Sequence, residues 1–167
     1  MSLRTHKNTG QSHKKCIFTS IHIKKPTPYI EITDGGDIVR VTVNGSTQKP
    51  KKAFTSHQWL EATVTVKGCT FSGQFTAEFL PVNFHQFRQQ LASLLYHLEN
   101  KATFEGEMGY LKLEFEAQDD EYIEIGVRAC DLPDIGAELS FKMATDRPQI
   151  ERLINQLDYI LECYAID

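Results

Sequence analysis

The chain has 167 residues, 41% of them apolar and 24% charged, with a formal net charge of −4. That is enough apolar material for one buried core, and no run approaches the eighteen or so apolar residues of a membrane helix. Four widely spaced cysteines (Cys16, Cys69, Cys130, Cys163), with no CxxC or Cys-x-His pattern, exclude a zinc knuckle and offer no disulfide framework.

Charge is divided along the chain. Residues 1–67 carry 11 Lys/Arg against 4 Asp/Glu, and residues 68–167 carry 7 against 18, so the first part is at +7 and the second at −11. The expected organisation is a disordered tail over 1–15 and a single α+β domain over 16–167. Within that domain lie an N-terminal β-piece (16–46), a basic loop (47–57) and the main body (58–167).

In chain order, alternation of Ile17, Thr19, Ile21 and Ile23 predicts a strand over Cys16 to Lys24, ended before Pro26. Tyr29 to Thr33 and Ile38 to Val43 form a hairpin across Asp34-Gly35-Gly36-Asp37, where glycine supplies positive φ. Asn44-Gly45-Ser46 matches a glycosylation sequon and reads as a turn. Trp59 to Lys67 and Phe71 to Phe79 are two further strands.

The period then lengthens to that of a helix, with Phe84, Phe87, Leu91, Leu94, Leu95 and Leu98 on one stripe and Asn83 as the expected N-cap. Ala102 to Glu105 is a short strand. Tyr110 to Cys130 is a hairpin with Leu111, Leu113, Phe115, Ile123, Ile125 and Val127 on one face and carboxylates on the other. After the turn Leu132-Pro133-Asp134, a strand carries Leu139, Phe141 and Met143. A second helix follows Asp146, with a stripe through Ile150, Leu153, Leu157 and Leu161. The expected fold is an antiparallel β-sheet or sandwich of about nine strands, with two amphipathic helices packed on one face.

The sequence offers little for catalysis. There is no Gly-x-Ser-x-Gly elbow and no P-loop, because Gly35-Gly36 leads into a strand and is flanked by carboxylates. His85 and His97 are twelve residues apart on the expected helix and point to different faces. Asp119, Asp120 and Glu121 occupy a hairpin tip, without the twelve-residue spread and central glycine of a calcium loop. The chain is therefore read as no enzyme, with no metal site and no cofactor. The distinctive chemistry is the acidic hairpin, where Glu114, Glu116, Asp119, Asp120, Glu121 and Glu124 could meet a basic partner and Tyr122 could anchor it.

Pairing arithmetic refines this surface. A register with residue numbers summing to 240 opposes Glu116 to Glu124 and Lys112 to Arg128. A sum of 242 opposes Glu114 to Arg128, which avoids like charges and is the expected register.

From Trp59 onward, several features resemble one bacterial family. They are Trp59-Leu60, Phe71-Ser72-Gly73, the helix through Phe84, Phe87, Leu91, Leu94 and Leu98, then Leu111-x-Leu113, Ile123, Leu139-x-Phe141 and Asp146. That family comprises the short cytoplasmic immunity proteins of wall-associated (WapI-like) polymorphic toxins. The chain departs from its pattern at Asp120-Glu121-Tyr122, where a glycine is usual, and at Arg147-Pro148. The resemblance implies a cytoplasmic, non-catalytic protein whose partner is a cognate toxin domain, often a basic nuclease, and it transfers no catalytic residue. Membrane association is not expected and nucleic-acid binding is disfavoured. Two alternatives remain: a nucleic-acid or regulatory adaptor using Lys49, Lys51 and Lys52, or a small-ligand domain with a pocket between helices and sheet.

Overall fold

The computed structural model describes residues 25–47, 58–119 and 122–164. The apolar alternation seen in the sequence produces four strands, β1 (Tyr29–Asp34), β2 (Asp37–Ser46), β3 (Leu60–Gly68) and β4 (Phe71–Phe79), followed by helix α1 (Pro81–Leu95). The pattern then repeats as β5 (Lys101–Glu105), β6 (Leu111–Ala117), β7 (Ile123–Cys130), β8 (Glu138–Thr145) and α2 (Arg147–Cys163). Each set of four strands is an antiparallel meander, in the order β1-β2-β3-β4 and β5-β6-β7-β8.

The α+β class holds, but the single sandwich of nine strands does not. Eight strands form two separate sheets among the described residues, because α1 interrupts the chain between β4 and β5 and those strands never pair. The strand expected over Cys16 to Lys24 lies outside the described residues, as do Lys49, Lys51 and Lys52.

The helices show that the two halves repeat one design. Phe84, Phe87, Leu91 and Leu94 of α1 are buried, and Ile150, Leu153, Leu157 and Ile160 of α2, each 66 positions later, are buried too. Each helix lies on the first strand of the other half and caps its open edge with amide side chains. From the tenth residue of α1, Gln90 Oε1 accepts the N–H of Thr103 in β5 (2.7 Å); from the tenth of α2, Gln156 Oε1 accepts the N–H of Glu31 in β1 (2.9 Å). At the third position, Asn83 Nδ2 donates to the carbonyl of Glu105 (3.3 Å). Gln149 binds Thr33 there through both its amide atoms, accepting from N–H at 2.8 Å and donating to C=O at 3.1 Å. Edge strands left bare pair with other chains, so these amides both satisfy the backbone and close two edges.

The halves are joined at the core and at the helices. Phe79, Phe84, Phe87, Phe104 and Phe115 form a fully buried aromatic chain with ring centroids 5.2 to 5.9 Å apart. Arg88 of α1 grips both carboxylate oxygens of Asp158 in α2, at 2.9 and 3.3 Å, and that hydrogen bonding raises the Arg88 pKa. At the sheet edges, Asp34 Oδ2 accepts the N–H of Ala144 (2.7 Å).

Local expectations at both ends of α1 need correction. The N-cap of α1 is Leu80, whose N–H is taken by Asn83 Oδ1 from within the first turn. The helix ends at Leu95, so Leu98 is 74% exposed and His97 lies beyond the helix with φ 57°. Asp146 does cap α2, accepting the N–H of Gln149 at 2.8 Å.

Candidate partner-binding surfaces

The β6–β7 hairpin pairs with its residue numbers summing to 240. Glu116 therefore faces Glu124, Lys112 faces Arg128, and Glu114 faces Gly126. The expected Glu114–Arg128 opposition is absent. Like charges are tolerated because each has an opposite charge beside it: Glu116 pairs with Lys101 of β5 at 3.1 Å and Glu124 with Lys142 of β8 at 2.7 Å. Lys112 reaches Glu114 at 3.0 Å and Glu105 at 3.9 Å, while Arg128 holds Glu138 at 2.8 Å. Hydrogen bonding to Glu124 raises the Lys142 pKa, and hydrogen bonding to Arg128 lowers that of Glu138. The outer face of this sheet is thus a mixed ladder of both signs.

At the hairpin tip, Asp119 Oδ1 accepts the N–H of Tyr122 (2.7 Å), and Gln118 N–H donates to the Tyr122 carbonyl (3.0 Å). This turn holds Tyr122 half exposed. Asp120 and Glu121 lie outside the described residues. Of the seven residues singled out in the sequence, the structure places Glu114, Glu116 and Glu124 on the strands as ion-paired groups and Asp119 and Tyr122 at the tip.

The opposite end of the same sheet differs in kind. Between β7 and β8, residues 131–137 form a loop braced from within. Asp131 Oδ1 accepts the N–H of Ala137 (2.8 Å), Asp131 N–H donates to the Ala137 carbonyl (3.2 Å), and Gly136 N–H donates to the Leu132 carbonyl (2.6 Å). Asp134 takes a left-handed φ of 74°, and a Cβ at Gly136 would collide with Asp131 and Leu132. This ordered loop leaves Leu132 51% and Ile135 83% exposed.

Beside the loop the two sheets part. A largely apolar cleft of about 280 Å³ opens between Val66, Phe71 and Phe75 of the first sheet and Ala129 and Leu139 of the second. Phe71 stands at this cleft 69% exposed. An adjoining hollow of about 480 Å³ is lined by Glu107, Met108, Arg128, Asp134, Ile135 and Glu138. Sequence reading missed this end. Phe71 counts as an inward residue by alternation, and Ile135 looks like part of an ordinary turn.

Among the described residues no cluster of three or more His, Cys, Asp or Glu is arranged to hold a metal, and no helix is long and apolar enough to cross a membrane. The apolar cleft lies between the two sheets and not between helices and sheet, where a small-ligand pocket is expected.

Comparison with known proteins adds a family. The model of the immunity protein WapI-like family matches residues 30–165. No curated protein matches. Among solved structures, the chain is similar to one described as crystal structures of Trypanosoma bruciei MRP1/MRP2, at 13% identity and a TM-score of 0.45, covering 83% of this chain and 86% of that one. It is also similar to a guide-RNA-binding protein complex bound to a gRNA, at 12% identity and a TM-score of 0.44, covering 83% and 92%. Likenesses this distant carry no argument about function.

Proposed function

Since the chain belongs to the immunity protein WapI-like family, we propose that it neutralises a cognate toxin domain by direct protein contact, in the cytoplasm and without chemistry of its own. The observation that carries this reading is the family match, which spans both halves of the fold. Inhibition by occupancy requires only a stable, complementary surface.

The hairpin contributes to encounter on this reading. Asp119 and Tyr122 at its tip, with the negative charge that Asp120 and Glu121 add to the sequence between them, steer a basic toxin domain, because charge complementarity acts mainly on association rate. Glu114, Glu116 and Glu124 each lie beside a lysine and take a lesser share. The test is stoichiometric inhibition: a candidate cognate toxin domain is purified and its activity titrated with the protein. Loss of activity at one equivalent, with a complex recovered by size exclusion, is the expected result. Undiminished toxin activity at excess protein refutes the reading.

A further inference from the structure

The internal repeat shows which parts of the molecule the fold does not need. The connection between the third and fourth strands of the first half, β3 to β4, is closed by two residues, Cys69 and Thr70. The corresponding connection of the second half, β7 to β8, uses seven, is braced by hydrogen bonds of its own, and leaves Leu132 and Ile135 in water. Exposed apolar side chains on an internally hydrogen-bonded loop, beside an apolar cleft with Phe71 at its mouth, are what a contact site looks like before its partner arrives.

The charge around the cleft selects the occupant. Asp131 in the cleft and Glu107 and Asp134 in the adjoining hollow have no ion-pair partner among the described residues, and Arg128, the cation in that hollow, is engaged by Glu138. A second copy seated by two-fold symmetry would press this acidic rim against itself. A basic segment would be drawn to it.

We infer that the cleft between the two sheets, with Phe71 at its mouth and Ile135 exposed on the adjoining hollow, receives an apolar side chain presented on a Lys/Arg-bearing segment of the cognate toxin domain. This rests on the immunity reading and names where the affinity resides.

The experiment measures calorimetric affinity for the toxin domain that the protein is tested against for inhibition, carried as an inactive variant. Ile135→Asp and Phe71→Ser should each weaken binding by roughly ten- to a hundredfold. Their melting temperatures should match the wild type, because both side chains are already exposed. A Glu107→Gln, Asp134→Asn double variant, in which Asn still tolerates the left-handed backbone at 134, should slow association and flatten its salt dependence. If the wild type binds tightly and both apolar variants bind equally well, the cleft is not the site and the immunity reading stands. If the wild type neither binds nor inhibits, both fall. If sedimentation finds a wild-type dimer that Ile135→Asp converts to a monomer with toxin affinity unchanged, a second copy is the occupant and the inference is overturned.

Discussion

The two halves of this protein share a framework and differ in their loops. In both, a four-stranded meander ends in a helix whose third and tenth residues cap the first strand of the other half, Asn83 and Gln90 on one side and Gln149 and Gln156 on the other. Only the second half carries a seven-residue loop where the first closes in two. What repeats is what folding requires. What does not repeat is where to look for a partner.

If the framework is a crossed pair of equal halves, equivalent core positions should fail together. Phe87→Ala should cost about 3–5 kcal/mol and Leu153→Ala about 2–5 kcal/mol, because both leave cavities under a helix that spans the two halves. Urea unfolding should remain a single transition in both variants. Two resolved transitions would mean that the halves are independent and that the comparison fails.

The edge caps give a finer test. Gln90→Leu and Gln156→Leu each strip a backbone N–H of its acceptor and should cost about 1–2 kcal/mol apiece, with faster hydrogen exchange at Thr103 and Glu31 respectively. A loss at one position only would break the equivalence.

Smaller effects separate the two ends of the second sheet. Lys142→Glu removes the group that sits beside the opposed Glu116 and Glu124, and should lower melting temperature modestly while leaving the equilibrium affinity for a toxin domain nearly intact. A large loss of affinity would move the binding site to the hairpin face.

Smallest of all is the Arg128–Glu138 pair. Its hydrogen bond holds the Glu138 carboxyl below the ordinary carboxylate range, so its stabilisation is present above the unfolded-state pKa and is lost as pH falls through the lower folded value. Arg128→Gln should raise the Glu138 titration midpoint seen by NMR, and an unchanged midpoint would remove the pair from the account.

Much of the fold was legible in the sequence because it is written in local periodicity. The alternation of Leu111, Leu113 and Phe115, the stripe of Phe84, Phe87 and Leu91, and the cap at Asp146 all report on near neighbours. The register of β6 and β7 was not legible from those strands alone, since Lys101 and Lys142, which offset its like charges, come from the flanking strands. Phe71 keeps an inward phase but stands where the sheets part, so alternation assigns it to a core that does not reach it. The repeat left a signal in the 66-residue spacing of the helical stripes, obscured because Phe84 and Phe87 in one stripe stand where the other has Ile150 and Leu153.

The most direct measurement is survival of cells expressing a candidate cognate toxin domain. Co-expressed wild-type protein should rescue them, and a folded variant in which residues 131–137 are replaced by a two-residue Asn-Gly turn should not. Rescue by both would contradict a partner site at this loop, and rescue by neither would contradict immunity itself.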